Sequence, residues 1–275
     1  MDTFQQKVAV VTGAASGIGQ ALANELARRG AKLAISDIDT DGLAHTEQQL
    51  RNLGAEVKAD RLDVTERESF MAYADAVNAH FGTVNQIYNN AGITFIGDIE
   101  VIDFKDIERV FDIDFWGVVN GTKAFLPHLI ASGDGHVINM SSMFGLFGVQ
   151  GQAPYNAAKF GVRGFTESLR QEMKRAGHPV KVTCVHPGYI KTAIARNAGA
   201  PESLDISGAA ATFDKVAITS PQRAAKIILR AVEKDKARVL PGPDAKLFDA
   251  IVRVMGAGYM RLLVPINRRL LPPTR

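Results

Sequence analysis

The chain has 275 residues, of which 46% are hydrophobic, so it is long enough to bury the core of one sizeable domain or of two small ones. Residues 1–6 resemble neither a signal peptide nor a transit segment, and no apolar run reaches the roughly 18 residues of a membrane-spanning helix. The single cysteine, Cys184, excludes an intramolecular disulfide and favours a reducing compartment, so we expect a cytoplasmic protein.

The net charge of +3 is unevenly distributed along the chain, because residues 244–275 carry six basic and two acidic side chains. The rest of the chain is therefore close to neutral. A nucleic-acid-binding protein is expected to cluster basic residues over one face of its body, so we predict no nucleic-acid partner.

Short apolar, β-branched runs alternate with segments of helical periodicity along most of the chain. The predicted strands are 7–11, 33–36, 57–61, 84–88, 136–140 and 180–185, and the predicted helices are 17–29, 40–53, 66–80, 103–131 and 153–176. Strict alternation implies right-handed crossovers and a parallel sheet with helices on both faces. We therefore predict an α/β fold, a single-domain doubly wound Rossmann-type sheet over residues 1–243. Ligands of such sheets bind beyond the carboxyl ends of the strands, so one edge should gather the loops opening at residues 12, 37, 63, 89, 141 and 187.

A glycine-rich turn, T-G-A-A-S-G-I-G at 12–19, lies between the first predicted strand and the first predicted helix. Glycines permit a tight turn and let backbone amides approach a pyrophosphate, and the helix N-terminus adds a partial positive charge. The spacing is G-x3-G-x-G rather than G-x-G-x-x-G, so a turn without a ligand remains an alternative. The predicted cofactor-binding residues here are Gly13, Ser16, Gly17, Ile18 and Gly19.

Acidic residues follow the second and third predicted strands. Asp37 lies where a carboxylate accepts both hydroxyls of an adenosine ribose, and it would repel a 2′-phosphate. A phosphate-binding site would want Arg or Lys where Ser16 and Ile38 stand, so NAD is favoured over NADP. A role of Asp37 as a helix cap remains open. The pair Asp63 and Val64 could likewise bond the adenine edge or cap the following helix.

The fourth predicted strand is followed by N-N-A-G at 89–92. Small residues let the backbone pass close to a cofactor, and asparagine side chains tie neighbouring loops together. The predicted cofactor site therefore also includes Asn90, Ala91 and Gly92, although this segment alone could be only a turn.

The most specific pattern is Tyr155 and Lys159, four residues apart at the start of a predicted helix, with Ser142 thirteen residues before the tyrosine. On one helical face the ammonium lies beside the phenol, whose pKa of about 10 it would bring closer to working pH. Such a phenol can take the proton of an alcohol or give one to a ketone. Ser142 would donate a hydrogen bond to the substrate oxygen, where negative charge develops during hydride transfer.

Together these residues resemble the short-chain dehydrogenase/reductase family. The match runs in order and spacing from about residue 7 to 192, through the turn at 12–19, N-N-A-G at 89–92, Ser142, Y-x3-K at 155–159 and H-P-G at 186–188. The resemblance implies that Tyr155 is the acid/base, that Lys159 lowers its pKa and bonds the nicotinamide ribose, and that Ser142 positions the carbonyl oxygen. It further implies that Asn90 lines the cofactor pocket and that the nicotinamide end is bordered by Pro187, Gly188, Ile190 and Thr192.

One residue departs from the family pattern, because Asp114 stands where the family usually has asparagine. The asparagine is thought to hold, largely through its backbone carbonyl, a water that links the lysine to solvent, and Asp114 could keep that backbone role. Its carboxylate could also pair with the Lys159 ammonium and weaken its pull on Tyr155, which would shift the pH optimum upward. Asp114 is therefore a fourth candidate catalytic residue.

No metal site is predicted. The six histidines, His186 among them, show no metal-ligand spacing, and the carboxylates are scattered along the chain. Cys184 lies in an apolar strand. We interpret these residues as structural or solvent-facing.

A segment at about 190–215 breaks the α/β rhythm and suits a mobile flap over the nicotinamide end of the cleft. Its apolar residues are Ile194, Leu204, Ile206 and Phe213. More apolar surface follows Ser142, at Met143, Phe144, Leu146, Phe147 and Val149. We therefore predict a roomy hydrophobic pocket that favours a bulky alcohol, ketone, steroid or lipid over a polyol.

The C-terminal extension, residues 244–275, has an amphipathic helical pattern. Its apolar stripe consists of Leu247, Phe248, Ile251, Val252, Met255, Tyr259, Leu262 and Leu263, with Lys246, Asp249 and Arg253 on the other side. The stripe could pack on the body or on a neighbouring subunit, cover the substrate cleft, or touch a membrane surface.

The sequence thus predicts an NAD(H)-dependent oxidoreductase that interconverts a secondary alcohol and a ketone, assembled as a homodimer or homotetramer. Two alternatives remain: an NADP(H)-linked carbonyl reductase of the same fold, and a non-catalytic dinucleotide-binding sensor or scaffold. The presence of Ser142, Tyr155 and Lys159 argues against the non-catalytic alternative.

Overall fold

The computed structural model describes residues 3–202, 204 and 206–261 and is built around one parallel β-sheet. Its strands are β1 (Val8–Thr12), β2 (Lys32–Asp37), β3 (Val57–Arg61), β4 (Gln86–Asn89), β5 (Gly135–Met140), β6 (Val180–Val185) and β7 (Arg238–Val239). In this part of the chain the seven strands lie in the order β3-β2-β1-β4-β5-β6-β7, and every pairing is parallel. The winding reverses between β1 and β4, as in a Rossmann-type sheet, so the predicted fold class is confirmed.

Helices cover both faces of the sheet. They are α1 (Gly17–Arg28), α2 (Thr40–Asn52), α3 (Arg67–Phe81), α4 (Phe104–Phe111), α5 (Gly117–Ala131), α6 (Ala153–Ala176), α7 (Ser207–Val216), α8 (Pro221–Glu233) and α9 (Pro243–Met255). Successive residues of β1 point to opposite faces. Ala9 and Val11 join the core beneath α1, α2 and α8, whereas Val8 and Val10 join the core beneath α3, α5 and α6. Because both faces are buried, the strands are continuous apolar runs rather than alternating ones.

The helix predicted over 103–131 is interrupted. Its two parts, α4 and α5, are joined by a π-helical turn over Asp112–Trp116. Turns of this kind are rare and occur frequently at functional sites. The turn contains Asp114, whose side chain is fully buried.

Three elements, α7, α8 and β7, have no counterpart among the elements predicted from the sequence, and α7 lies largely in the segment predicted as a flap. At the start of α8 the Ser220 side chain accepts a hydrogen bond from the Arg223 N–H, and Pro221 occupies the first turn. The inner face of α8, with Ile228 and Leu229 fully buried, packs against α1. A capping serine followed by proline is a helix-start signal, so this helix was within reach of sequence reasoning.

The C-terminal helix α9 packs on the body of the protein. Phe248, Val252 and Tyr259 contact an apolar cluster around Phe147, whose ring centroid lies 5.3 Å from that of Phe248. The Tyr259 hydroxyl also accepts a hydrogen bond from the Gly148 N–H at 2.9 Å. Packing on the body was one of the alternatives for the C-terminal extension, and it accounts for these three side chains.

Other parts of the predicted apolar stripe behave differently. Leu247 and Met255 are 58% and 43% exposed, because α9 meets the body along a narrower face than the sequence pattern indicates, so the body does not cover the whole stripe. Cover of these two residues by a neighbouring subunit stays a prediction. Leu262 and Leu263, with the arginines beyond them, lie outside the described residues. The division at residue 243 and the membrane-surface alternative stay predictions. Across residues 3–202, 204 and 206–261, no helix combines the length and apolar character needed to cross a membrane.

Candidate active site

Two connected clefts open at the carboxyl edge of the sheet, where the predicted loops meet. A polar cleft lies along the glycine-rich turn and the loops after β2 and β3, and an apolar cleft lies beyond β5 and β6. Their common boundary consists of Ile18, Asn90, Gly92, Thr94, Thr192 and Ile194. An elongated ligand could therefore occupy the polar cleft and reach the apolar cleft with one end.

The glycine-rich turn after β1 allows a ligand to approach the backbone closely. Gly13 and Gly17 have left-handed φ angles of +65° and +59°, which side chains disfavour. A Cβ atom at Gly19 would collide with the Gly13 carbonyl oxygen, so the turn is this tight only with glycine there. Ser16, the N-cap residue of α1, makes no side-chain capping bond, which leaves the first N–H groups of the helix beside the polar cleft. The turn therefore fits the pyrophosphate of a dinucleotide.

Asn90 and Thr12 join the loop after β4 to the glycine-rich turn. The Asn90 side-chain nitrogen donates to the carbonyl oxygens of Thr12 at 2.9 Å and Gly13 at 3.1 Å. The Thr12 hydroxyl oxygen accepts from the backbone N–H groups of Asn90 at 3.0 Å and Ala91 at 3.1 Å. The asparagine thus ties the two loops together and fixes the boundary between the clefts.

Asp37 ends β2 with its carboxylate beside the glycine-rich turn. One oxygen accepts from the Ala15 N–H at 2.9 Å, and the other accepts from the Asp39 N–H at 3.0 Å. The N-cap residue of α2 is Asp39, which accepts from the Gly42 N–H, so the alternative of Asp37 as a helix cap is wrong. Asp37 lines the polar cleft, and its contact with an adenosine ribose stays a prediction.

Asp63 and Val64 also line the polar cleft. The Asp63 carboxylate accepts from the N–H and the hydroxyl of Thr65, which closes the turn before α3. The N-cap residue of α3 is Glu66, so the alternative of Asp63 as its cap is wrong as well. The Val64 carbonyl accepts from the Asn120 side chain at 3.0 Å, which fixes this loop against α5.

Ser142, Tyr155 and Lys159 come together where the two clefts join. All three line the apolar cleft, and they are only 8%, 8% and 4% exposed. The first turns of α6 carry Tyr155 and Lys159, and the ammonium lies 5.5 Å from the centroid of the tyrosine ring. Ser142 comes from the loop after β5, and its side chain favours the ionised form of the phenol. The three side chains that the sequence singles out are therefore neighbours.

Asp114 forms a buried ion pair with Lys159. The carboxylate Oδ2 lies 3.3 Å from Nζ, and the two side chains are 0% and 5% exposed. The other carboxylate oxygen accepts from the Ile93 N–H at 2.8 Å, and Nζ also donates to the Met140 carbonyl at 3.3 Å. The π-helical turn thus places a negative charge against the lysine.

Burial and charge together set the protonation of this cluster. Burial raises the pKa of the Tyr155 phenol; the Lys159 ammonium opposes this shift, and the Asp114 carboxylate adds to it. Burial alone would lower the pKa of Lys159, but Asp114 and Tyr155 outweigh it and keep the pKa above its ordinary value. Burial also raises the pKa of Asp114, opposed by Lys159 and the Ile93 N–H. The Lys159 ammonium therefore acts on the phenol pKa in the expected downward direction, but burial acts more strongly and the net shift is upward.

The loop after β6 borders the apolar cleft next to Ser142. Pro187, Gly188, Ile190 and Thr192 all line this cleft, as their predicted place beside the nicotinamide requires. The Pro187 carbonyl accepts from the Met143 N–H at 2.9 Å, and Ile190 forms a β-bridge farther along the loop. The loop is therefore tied to the segment that follows Ser142.

Asp244, at the start of α9, supports the same loop from behind. Its carboxylate accepts from the Tyr189 N–H at 2.6 Å, and a Cβ atom at Gly188 would collide with it. Sequence reasoning missed Asp244, because the contact joins residues 55 positions apart that no short motif links.

The apolar cleft combines residues that the sequence predicts with residues that it does not. The predicted residues that line it are Met143, Phe144, Val149, Ile194 and Phe213. Leu146 and Phe147 pack in the cluster beneath α9 instead. The lining residues that the sequence analysis missed include Thr94, Ile96, Gln152, Tyr189, Ala195, Thr212 and Val216. Gln152 was within reach, since it lies one helical turn before Tyr155.

Within the described residues, no group of three or more His, Cys, Asp or Glu side chains could hold a metal ion. Burial lowers the pKa of His186 to about 4, and its Nδ1 lies 3.0 Å from the Ser142 carbonyl oxygen, so it stays neutral and structural. The Cys184 thiol is buried, and burial raises its pKa to about 12.

A family model described as short chain dehydrogenase matches residues 7–203. The chain belongs to the short chain dehydrogenase family. The matched residues include the glycine-rich turn, Ser142, Tyr155 and Lys159, so the resemblance drawn from these motifs is confirmed at the level of the family. As a short chain dehydrogenase, the protein is an oxidoreductase whose fold binds a nicotinamide dinucleotide.

Two named relatives and one solved structure are similar over most of this chain. The putative oxidoreductase SadH of Mycobacterium tuberculosis (strain ATCC 25618 / H37Rv) is 62% identical over 264 residues, which cover 96% of each chain. The trans-4-hydroxycyclohexanecarboxylate dehydrogenase of Sinomonas cyclohexanicum is 37% identical over 197 residues, 70% of this chain and 75% of that protein. A short chain dehydrogenase/reductase from Burkholderia phymatum, solved in complex with NAD, superposes with a TM-score of 0.85 at 30% identity and covers 95% of this chain and 97% of that one.

Proposed function

We propose that this protein is an NAD(H)-dependent oxidoreductase that interconverts a secondary alcohol and a ketone. The observation that carries the proposal is the cluster of Ser142, Tyr155 and Lys159 where the polar cleft along the glycine-rich turn meets the apolar cleft. A substrate in the apolar cleft would present its oxygen to the Tyr155 phenol and the Ser142 hydroxyl. Its reacting carbon would then face the nicotinamide end of the polar cleft.

The four side chains of the cluster have different roles in the proton transfer. In the oxidation, the Tyr155 phenolate takes the proton of the alcohol hydroxyl, and in the reduction the phenol returns it to the ketone oxygen. A nicotinamide dinucleotide held along the glycine-rich turn and Asp37 would supply the hydride acceptor for the reacting carbon as NAD, and the hydride donor as NADH. Ser142 donates a hydrogen bond to the substrate oxygen as its negative charge develops. The Lys159 ammonium stabilises the phenolate, and Asp114 holds that ammonium in place.

The choice of NAD rests on the residues around the end of β2. The carboxylate of Asp37 is fixed beside the glycine-rich turn, where a 2′-phosphate would meet a negative charge. Ser16 and Ile38 offer no cation there, and the Ile38 side chain is 58% exposed beside the cleft. The NADP(H)-linked reductase is therefore the second candidate.

The substrate class follows from the lining of the apolar cleft. Phe144 stacks edge-to-face on Tyr155 and on Tyr189, and Tyr189 continues the contact to Phe213, so aromatic rings form a wall. Of the described residues that line this cleft, Lys159 alone is cationic, and it is paired with Asp114. These features support an uncharged, bulky, hydrophobic alcohol or ketone. The name of the Sinomonas relative, a dehydrogenase of trans-4-hydroxycyclohexanecarboxylate, supports a ring alcohol, although that substrate also carries a carboxylate.

Tyr155→Phe tests this function. We expect NADH oxidation with a panel of cyclic and aromatic ketones, among them cyclohexanone and 1-tetralone, to fall about a thousandfold in kcat. The affinity for NADH, measured by cofactor fluorescence, should change less than threefold, since the phenyl ring keeps its packing.

Tyr73→Phe is the matched control, because Tyr73 is a buried tyrosine on α3 in the core beneath the sheet. It should leave kcat unchanged. Equal turnover by wild type and Tyr155→Phe would contradict the acid/base assignment. NADH binding by wild type without turnover of any ketone would favour the sensor or scaffold alternative. The homodimer or homotetramer stays a prediction.

A further inference from the structure

The apolar cleft contains one buried polar pair that the proton chemistry does not use. The Thr94 hydroxyl donates to the Gln152 side-chain oxygen at 2.9 Å. Both residues line the cleft, and Gln152 is only 6% exposed. Since most of the surrounding side chains are apolar, this pair forms a local polar site on the wall of the cleft.

The amide nitrogen of Gln152 has no hydrogen-bond partner among the described residues. Thr94 occupies the amide oxygen, so the two N–H donors remain for a ligand. Because Gln152 lines the cleft and this nitrogen is not among the fully enclosed polar atoms that lack a partner, its N–H groups are open to water or to a ligand in the cleft.

A structural role at the end of the helix does not explain Gln152. It is the N-cap residue of α6, but its side chain makes no capping hydrogen bond. Only its backbone carbonyl serves the helix, accepting from the Asn156 N–H at 2.8 Å. The side chain is therefore free to act in the cleft.

The pair is also held in place before any ligand arrives. The Gly151 carbonyl accepts from the Gly97 N–H at 3.0 Å, and the Thr94 carbonyl accepts from the Gly199 N–H at 3.1 Å. Gln152 precedes Tyr155 by three residues, and positions three apart lie on one face of a helix. A group bound by Gln152 would thus lie roughly one helical turn, about 5 Å, from the oxygen that reacts at Tyr155.

We propose that Gln152 is a specificity-determining residue that donates a hydrogen bond to a second, uncharged oxygen of the substrate. This inference rests on the proposed function and narrows it: the substrate carries a carbonyl or hydroxyl oxygen across a ring from the reacting carbon. A carboxylate is disfavoured at this place because, among the described residues lining the cleft, Lys159 is the sole cation and is already paired.

The test compares two ketones that differ by one oxygen, cyclohexane-1,4-dione and cyclohexanone, with NADH as the reductant. The measured quantity is the ratio of their kcat/KM values for each variant. Because intrinsic reactivity and the number of carbonyls are properties of the ketones, a change in this ratio between variants reports the side chain. Gln152→Met keeps the length of the side chain and removes its hydrogen bonding.

In wild type the dione should be preferred, and Gln152→Met should reduce the ratio about tenfold while kcat/KM for cyclohexanone changes less than threefold. Thr94→Val should lower the ratio by a smaller factor, because the amide loses the hydroxyl that orients it. Thr212→Val is the matched control, since Thr212 lines the same cleft from the flap and should leave the ratio unchanged.

An equal ratio in wild type and Gln152→Met, with both ketones turned over, would overturn this inference and leave the proposed function intact. If the ratio also falls in Thr212→Val, the inference is overturned, since the loss of preference would then follow from any change in the cleft lining and not from Gln152. If wild type turns over neither these ketones nor any other of the panel, the proposed function fails, and this inference fails with it.

Discussion

A single side chain, Asp114, shows how burial magnifies a small chemical difference. Asparagine and aspartate have nearly the same shape, but the carboxylate adds a charge at a position where neither it nor Lys159 is more than 5% exposed. Charges in such surroundings are weakly screened, so the carboxylate influences both the lysine and the phenol. Because the family usually has asparagine here, the asparagine variant is expected to fold.

Asp114→Asn should move the pH dependence of alcohol oxidation to lower pH. The oxidation needs the Tyr155 phenolate, so its rate rises as pH passes through the phenol pKa. The Asp114 carboxylate raises that pKa, so its removal should lower it. The check is a profile of kcat/KM against pH for one alcohol with NAD.

Asp106→Asn, on α4, is the control for this profile, since Asp106 lies eight residues before Asp114 and outside the cluster. It should leave the profile in place. A profile of Asp114→Asn that coincides with wild type, or that moves to higher pH, would show that Asp114 does not tune the phenol.

At the scale of elements, the C-terminal helix shapes the cleft without lining it. None of the described residues of α9 borders the apolar cleft. The helix acts through the loops: Asp244 holds the loop after β6, and Phe248 packs on Phe147 in the loop after β5. The Asp244 carboxylate lies against Gly188, so there is no room for a side chain at position 188.

The tight contact between Gly188 and Asp244 predicts non-additive effects on stability. Asp244→Ala should lower the free energy of unfolding by about 2 kcal/mol, because the Tyr189 N–H loses a charged acceptor. Gly188→Ala should also destabilise, because its Cβ would collide with the carboxylate. In the double variant the collision is absent. The losses of unfolding free energy of the two single variants should therefore sum to more than the loss measured for the double variant. Urea unfolding of the four proteins measures this coupling.

Gly208→Ala is the control for the glycine substitution, since a Cβ there would meet nothing within 4 Å. It should be neutral or slightly stabilising. If the losses of Gly188→Ala and Asp244→Ala simply add, the carboxylate is not what excludes a side chain at position 188.

At the scale of the whole molecule, local sequence patterns predicted the sheet and its ligand-binding edge. They did not predict contacts between residues that are far apart in the chain. The glycine-rich turn and Tyr155 with Lys159 are local, because one turn or one helix carries each. The pairing of Thr94 with Gln152 joins residues 58 positions apart, and neither residue lies in a motif. The net direction of the Tyr155 pKa shift could not be predicted from the sequence for a related reason, since burial depends on everything packed around the phenol.

The apolar stripe of α9 shows a second limit. Periodicity indicates which residues share a helix face, but the width of the surface that the body offers decides how many are buried. Phe248 meets that surface, while Leu247 is 58% exposed. The elements α8 and β7 were missed because the segment between residues 216 and 243 carries no motif of the cofactor site, not because its sequence lacks helical signals.

Cofactor preference is a property of the whole folded chain, so binding alone can measure it. A ligand at a hundred times its Kd stabilises the native state by about 2.7 kcal/mol, which corresponds to a rise in Tm of about 5 to 10 °C for a chain of this size. NAD should therefore raise the Tm of wild type more than NADP at equal concentration, because Asp37 repels the 2′-phosphate. Asp37→Asn should narrow the difference, whereas Asp41→Asn, in the exposed first turn of α2, should preserve it. Equal shifts by both cofactors in wild type would favour the NADP(H)-linked alternative, and since no turnover is involved, that outcome would leave the role of Tyr155 untouched.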